Sequence, residues 1–431
     1  MKKVIVSILL LSVVFSVFAR GSSEEKMPEK AKLVFWDMQW ETSVPYAEDA
    51  KALVAKYNAS QDKVEVQYQS IPWADYNQVF LTAVQGGAAP DVATGGSQIP
   101  INYYLMGEIL PLDSIVAEWK ADKTYDEYIP GIVESNYYDG HYIALPWHCD
   151  PRSIMYRTDL FEAAGITKLP TTWNELLGVL RTLKKAYPDM VPLAGFGNLQ
   201  GAQQFADFFL NSNGGGQVTA DMKANFNSKE VRETLEFIAT LSDEGLIPEG
   251  MIAYEQADSE RLFLSGKAIC LIPASATGLA DEKLKNLVDI MDPIQGPSAD
   301  KPYTLYWANS ICAFSQTKHP EEAKNFIKWW LDNQKTLFVD TQMPKVPARV
   351  TFMDDKFFIE NVMMKAYTQV LYPTFRHATS PITGFFPAYG EINGQRYLGM
   401  AAQKVLSGDR NYDAILAEGQ AKIQGAIDAV K

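Results

Sequence analysis

Strand-like and helix-like patterns alternate along the 431 residues with no linker that would divide the chain into consecutive domains, and this combination restricts the fold most. The β-rich runs Lys32 to Trp36 (KLVFW), Val64 to Gln69 (VEVQYQ), Asp91 to Thr94 (DVAT) and Ile269 to Ala274 (ICLIPA) lie between helical patterns. Such alternation predicts α/β domains with largely parallel sheets. The length is ample for two cores. A chain of that length without a dividing linker suits two lobes between which the polypeptide crosses more than once. Helix signals are clean: Thr172 and Glu175 have capping-box spacing, and Pro320 occupies a first-turn position. Ala323, Phe326, Ile327, Trp330 and Leu331 fall on one apolar stripe that predicts a core-facing helix.

Lys2 and Lys3 precede an apolar run from Val4 to Phe18, and Val17-Phe18-Ala19 supplies a small-x-Ala cleavage signature. The segment 1–19 therefore reads as a secretory signal peptide, too short for the ~20 residues that span a bilayer as a helix. Residues 20–30 form a polar tether expected to be mobile. Loss of Lys2 and Lys3 with the signal takes the formal charge from −13 to −15. That acidity argues against a nucleic-acid surface. A content of 47% hydrophobic and 21% charged residues matches an ordinary globular chain. Cys149, Cys270 and Cys312 show no C-x-x-C spacing, so buried thiols are expected, with room for at most one bridge.

Enzyme and metal signatures fail. There is no G-x-S-x-G elbow and no H-E-x-x-H, and Ala268 stands after Gly266-Lys267 where a P-loop needs Ser or Thr. Gly195 to Gly201 misses the third glycine of a dinucleotide fingerprint by one position. Four histidines make a multi-histidine metal site an unfavourable reading, and no cofactor is expected.

The stretch from Ala144 to Leu177 combines a strand ending in Pro, an Asp a few residues on, Tyr-x-x-Asp-Leu-Phe-x-x-Ala-Gly, and Thr-Trp-x-Glu-Leu. It resembles the extracellular solute-binding proteins of ABC importers, in the branch that mostly carries sugars. Gly86 to Gly96 resembles that family's Gly-x-x-Pro-Asp-Val strand, Gly107 to Ile115 its Gly-x-Leu-x-Pro-Leu-Asp element, Phe263 to Cys270 its Phe-x-x-Gly-Lys-Ala strand, and His319 to Asp332 a later helix. The resemblance implies a periplasmic-binding-protein-like α/β fold, two α/β lobes joined by a multi-strand hinge, with ligand buried between them. It places the crossings near Pro146 to Cys149, Cys270 to Ala274 and Met343 to Ala348. Lobe 1 would comprise 31–147 plus 271–345, and lobe 2 148–270 plus 346–431. Closure on ligand would be read by permease subunits in the inner membrane, the protein itself being a monomer. Relatives often carry a lipidated Cys at the cleavage point, and none stands here, so a periplasmic protein without a lipid anchor is expected.

Ligands in open α/β sheets sit beyond the carboxyl ends of strands. The candidates are accordingly Trp36, Asp37, Gln39, Trp40 and Glu41 after the first strand, then Ser97 and Gln98, then Trp147, Asp150 and Arg152. A second group is Asn198, Gln203, Tyr306, Trp307, Asn309, Arg349, Arg376, His377 and Tyr389. Flat rings cover sugar C–H faces while planar polar groups engage adjacent hydroxyls, so this mixture points to a carbohydrate, and the family branch it resembles, with the several aromatic candidates, implies an oligosaccharide over a monosaccharide. Trp173, Trp329 and Trp330 are assigned to cores. Asp150 and Arg152 have a competing reading as a mutual salt bridge, and His377 as a structural histidine. Asp37, Glu41 and Asp150 keep a polyamine open as ligand. A secreted glycosidase with two carboxylates and a sensory binding partner of a membrane receptor are the alternative functions.

Overall fold

The structure, a computed structural model, describes residues 30–41, 44–73, 76–96, 98–272, 284 and 286–430. The expected signal peptide, nearly all of the tether, and Ser97 lie outside the described residues.

Two sheets organise the chain. The large one contains β1 (Ala31–Met38), β2 (Val64–Ile71), β3 (Val92–Gly95), β4 (Ile109–Leu110), β7 (Leu145–Pro151), β12 (Thr304–Phe314), β13 (Val346–Pro347) and β14 (Phe375–His377). The small one contains β8 (Met155–Arg157), β9 (Val191–Ala194), β10 (Ala268–Leu271) and β11 (Val288–Ile290). Between them in sequence, β5 (Tyr137–Tyr138) and β6 (His141–Tyr142) make a hairpin. The principal order of the large sheet is β13-β7-β12-β3-β1-β2, with β4 and β14 also pairing to β12.

The sheets are mixed where the sequence suggested largely parallel ones. β1 runs parallel to β2, with Phe35 opposite Tyr68, and parallel to β3, whereas β12 is antiparallel to β3 and β7. The reason is the path: β12 returns from the second lobe and so enters the large sheet from the opposite end. Buried on both sides, β3 reads Val-Ala-Thr-Gly and β12 is almost wholly inaccessible, as central strands require.

Ten helices matter below: α1 (Tyr46–Ser60), α2 (Tyr76–Gln85), α3 (Gln98–Tyr104), α4 (Trp173–Ala186), α5 (Leu199–Ser212), α6 (Lys229–Asp243), α7 (Pro320–Asn333), α8 (Tyr389–Gln395), α9 (Tyr397–Leu406) and α10 (Tyr412–Asp428). The stripe Ala323, Phe326, Ile327, Trp330 and Leu331 of α7 is fully buried. Phe35 of β1 meets Phe326 and Trp330 edge-on at 5.1 and 4.9 Å, which ties α7 to the large sheet. In the second lobe Trp173 of α4 stacks on Phe237 of α6 at 4.6 Å and donates its Nε1 to Ser212. Thr172 caps α4 by accepting from the Glu175 amide, while the Glu175 carboxylate accepts from the Thr171 amide, one residue upstream of the box the spacing suggested. The three cysteines are buried free thiols.

The chain passes between lobes at places displaced from those expected. β7 lies in the large sheet as far as Pro151, because residues 145–151 pair with β12, so the first passage is at 152–154. β10 and β11 both pair with β8, and Gln295, Gly296 and Ser298 bond to Thr171, Ser212 and Asn213, so the second lobe extends to about residue 300 instead of ending at 270. β13 and β14 belong to the large sheet, and Gly384 and Gly390 sit against Ser135 and Asn102 of the first lobe. The third passage therefore falls near Arg396, whose φ of 57° makes the bend between α8 and α9. From there α9 packs on α5, the Gly399 amide donating to Gln203 Oε1 at 2.7 Å.

Candidate functional site

A small, solvent-open recess lies where α5 of the small lobe faces β12 and the strap of residues 378–393 on the large lobe. Gln203, Asp207, Gln217 and Val218 form one wall; Trp307, Thr379, Phe386, Tyr389 and Asn393 are prominent on the other. Gln203, Trp307 and Tyr389 are the sequence candidates that line it. Position 307 is the half-buried residue in an otherwise buried run of β12, so its ring is available to the recess. The Arg152 guanidinium lies 4.7 Å from that ring's centroid and extends to Gln204 of α5 at 3.4 Å, linking the two lobes beside the recess.

Asp207 was not foreseen. It stands one helical turn after Gln203, which donates Nε2 to its Oδ2 at 2.9 Å. Because Gln203 Oε1 is engaged by Gly399, the amide orientation is fixed and Oδ2 must accept. Burial pushes the carboxyl up to about 7, opposed by the Gln203 hydrogen bond. The four-residue spacing to Gln203 was the signal in the sequence that could have found it.

The residues at the end of β1 and just beyond it build a different object. Asp37 is fully buried and accepts from Tyr46 and Tyr68 at Oδ2 (2.8 and 3.2 Å) and from Thr94 and Trp40 at Oδ1 (2.5 and 3.2 Å). Burial lifts its carboxyl to about 6 despite these four donors. With its lone pairs so occupied Asp37 is an internal hub, not a group facing ligand. Trp36 packs edge-on against Phe80 of α2 at 5.0 Å and faces that helix. Trp40 is 6% exposed and meets Trp147 and His148, both inaccessible, at 5.5 and 4.5 Å. Thus Trp40 and Trp147, read as contacts, are buried packing residues. The outer member of this cluster is Trp73, 38% exposed, edge-on to Trp40 and anchored by its Nε1 to the Gln39 carbonyl. Gln98 is paired with Tyr76, and Glu41 is half-buried with Tyr367 in its electrostatic reach.

Asp150 bonds Arg152 at 2.7 Å and Lys345 at 3.2 Å at the first passage between lobes. Burial opposes its ionisation, but Arg152 and Lys345 outweigh it and hold the carboxyl well below the usual range. It is a hinge ion pair, and the pairing reading of Asp150 with Arg152 stands. Burial, aided by Lys345, lowers the neighbouring His148 to about 3. Other candidates are occupied elsewhere. Asn198 caps α5 by accepting from the Gly201 amide at 2.8 Å. Tyr306 stacks on Phe375, and Asn309 is buried beside His148. Arg349 pairs with Glu127 and Asp332 on the first lobe. Arg376 donates to the Gly214 and Gly215 carbonyls at 3.0 and 2.8 Å, and His377 is buried against Thr379, burial lowering it to about 4. Among the described residues no group of three or more His, Cys, Asp or Glu is placed to hold a metal ion. No helix among them is long and apolar enough to cross a membrane.

Two α/β lobes with three passages between them and a polar, aromatic recess at their junction define a two-lobed binding protein. The chain belongs to the bacterial extracellular solute-binding protein family, whose model matches residues 42–336. A Brucella abortus protein described as a binding protein is 23% identical over 388 residues, 89% of this chain and 90% of the relative. The diacetylchitobiose binding protein DasA of Streptomyces coelicolor is 25% identical over 354 residues, covering 77% of this chain and 79% of its own. Among solved structures, a sugar transporter from Arthrobacter chlorophenolicus with bound laminaribiose superposes with a TM-score of 0.82 at 24% identity, covering 93% of this chain and all of that one.

Proposed function

We propose that this protein is the substrate-binding component of an ABC-type importer that captures an uncharged carbohydrate, an oligosaccharide, between its lobes and delivers it to membrane permease subunits. In this reading it works in the periplasm as a monomer, exported by a cleaved signal peptide and without a lipid anchor. The observation that carries the proposal is the recess itself: a half-buried indole, Trp307, and the Asp207 carboxyl of the opposite lobe share one lining, so a ligand there touches both lobes. A ligand that bridges lobes stabilises their closed arrangement by its differential contacts, which is the event a permease can sense. Hinge closure of two domains around a ligand is how periplasmic binding proteins perform such a switch. The name of the diacetylchitobiose binding protein and the laminaribiose bound in the solved structure support the same ligand class. Hydrolysis by paired carboxylates is the weaker reading, because Asp207 is the one carboxyl among the recess-lining residues described.

A thermal-shift screen against mono- and oligosaccharides, polyamines and amino acids tests this. Ligand at a hundred times its dissociation constant stabilises by about 2.7 kcal/mol, a shift of several degrees. A saccharide that shifts the melt and is recovered intact supports capture; cleaved sugar supports a hydrolase, and a shift from polyamines alone sinks the carbohydrate reading. Trp307→Ala is expected to weaken binding of the active sugar by about 1 to 3 kcal/mol.

A further inference from the structure

We propose that Asp207 is a ligand-binding, pH-sensitive residue of the recess, its Oδ1 accepting a hydrogen bond from a hydroxyl of a sugar laid against Trp307. The inference deepens the carbohydrate reading above and rests on it. Three features of the geometry carry it.

Among the described lining residues Asp207 is the single carboxyl, and the others are uncharged. One of its oxygens, Oδ2, is engaged by Gln203, whose other end is pinned by the Gly399 amide, so that oxygen is committed within the protein and the other is left for a ligand. Oδ1 has no hydrogen bond among the described residues and belongs to the open side. A hydroxyl can donate to it, and the neighbouring amide groups of Gln217 and Asn393 can engage an adjacent hydroxyl.

Among the described residues no cation neutralises this carboxyl. Arg152, beside Trp307, is paired with Asp150, and Arg376 on the strap is bound to backbone carbonyls. His377 turns to Thr379, and Tyr389 shares the lining. On α9, Tyr397 faces Glu391 and Lys404 faces Glu418; on α6, Glu233 is held by Asn213, Ser298 and Lys229. Burial and the Gln203 hydrogen bond are the causes acting on Asp207, none of these charges contributing. Its proton is therefore exchanged near neutrality. The ionised form makes the stronger, charge-assisted bond to a hydroxyl, so sugar binding lowers the group's proton affinity and releases a proton. Affinity is then full above about pH 7 and declines on acidification through that range.

Calorimetric titration of the full mature chain with laminaribiose, diacetylchitobiose, maltotriose and spermidine from pH 5.5 to 8.5, repeated with Asp207→Asn, tests this. The sugar that binds is expected to do so about tenfold more tightly at pH 8 than at pH 5.5, the equivalent of one pKa unit. Asp207→Asn, isosteric with the parent, is expected to abolish that slope and to bind more weakly at pH 8. A parent that binds sugar with a flat profile, or with a slope the variant shares, overturns this inference and leaves the carbohydrate reading standing. Failure of every sugar, or spermidine binding more tightly than any sugar, overturns the carbohydrate reading and this inference with it. The parent's own pH profile decides the matter should the variant be unstable.

Discussion

Asp37 shows how residue identity and residue role separate. Its position at the end of β1 marks it as a group at a strand's carboxyl end, where ligands sit, yet it is drawn inward by two tyrosines, a threonine and an indole. Those four partners come from positions 40, 46, 68 and 94, so no local pattern announces them. The hub makes a specific prediction for Tyr46→Phe, which removes one donor without changing the ring. At pH 8 Asp37 is ionised and the lost bond is to a charge, so about 1.5 to 3 kcal/mol of folding stability should disappear. At pH 4.5, below the folded value of about 6, the carboxyl is largely neutral and the loss should fall toward about 1 kcal/mol. The same raised value means the native state holds this proton more tightly than the unfolded chain, so Asp37 contributes stability below the unfolded value near 4 that is lost as pH rises to about 6. Urea denaturation of parent and variant at both pH values measures this, and a loss that is the same at each would contradict it.

At the scale of elements the sequence was most readable where one period repeats. The α7 stripe, the runs in β1, β2 and β3, and the α4 cap all follow from spacing, and all are present. Passages between lobes were misplaced because they depend on which strand β12 and β8 pair with, and pairing partners more than a hundred residues apart leave no periodic trace. The recess was legible in part for the same reason: Trp307 stands out beside polar neighbours in a strand, whereas Asp207 is hidden within the apolar helix sequence of α5. Asn198 illustrates the consequence for reading sites. An Asn at a loop-to-helix junction resembles a contact residue, but its side chain caps α5. Asn198→Ala should therefore cost about 1 kcal/mol of stability, within the range for lost N-caps, while sugar affinity changes less than twofold. Chemical denaturation and calorimetry on one preparation separate the outcomes, since a large affinity loss at unchanged stability would return Asn198 to the ligand.

The whole molecule depends on contacts that let the lobes meet without fusing. Arg376 sits on β14, hydrogen-bonded into the large sheet, and its guanidinium grips the Gly214 and Gly215 carbonyls just beyond α5 of the small lobe. Asn211 of α5 reciprocates toward the Arg376 and His377 carbonyls at 3.3 and 3.4 Å, and the Gly216 backbone lies so close to the Ser380 carbonyl that a Cβ would collide. This tie is backed by the Asp150, Arg152 and Lys345 cluster at the first passage. Ligand contacts need only tip a balance these groups already set, because apparent affinity scales with the fraction of molecules in the binding-competent arrangement. Arg376→Ala removes two charge-assisted bonds between lobes and none to the recess lining, so it should loosen the ligand-free molecule without altering the ligand's own contacts. Small-angle scattering should then show a larger radius of gyration for the free variant, converging on the parent's when sugar saturates it. Apparent affinity should fall about tenfold if the competent fraction drops to roughly a tenth. Equal radii for free parent and free variant, together with equal affinities, would place closure under the control of the ligand contacts alone and exclude Arg376 from it.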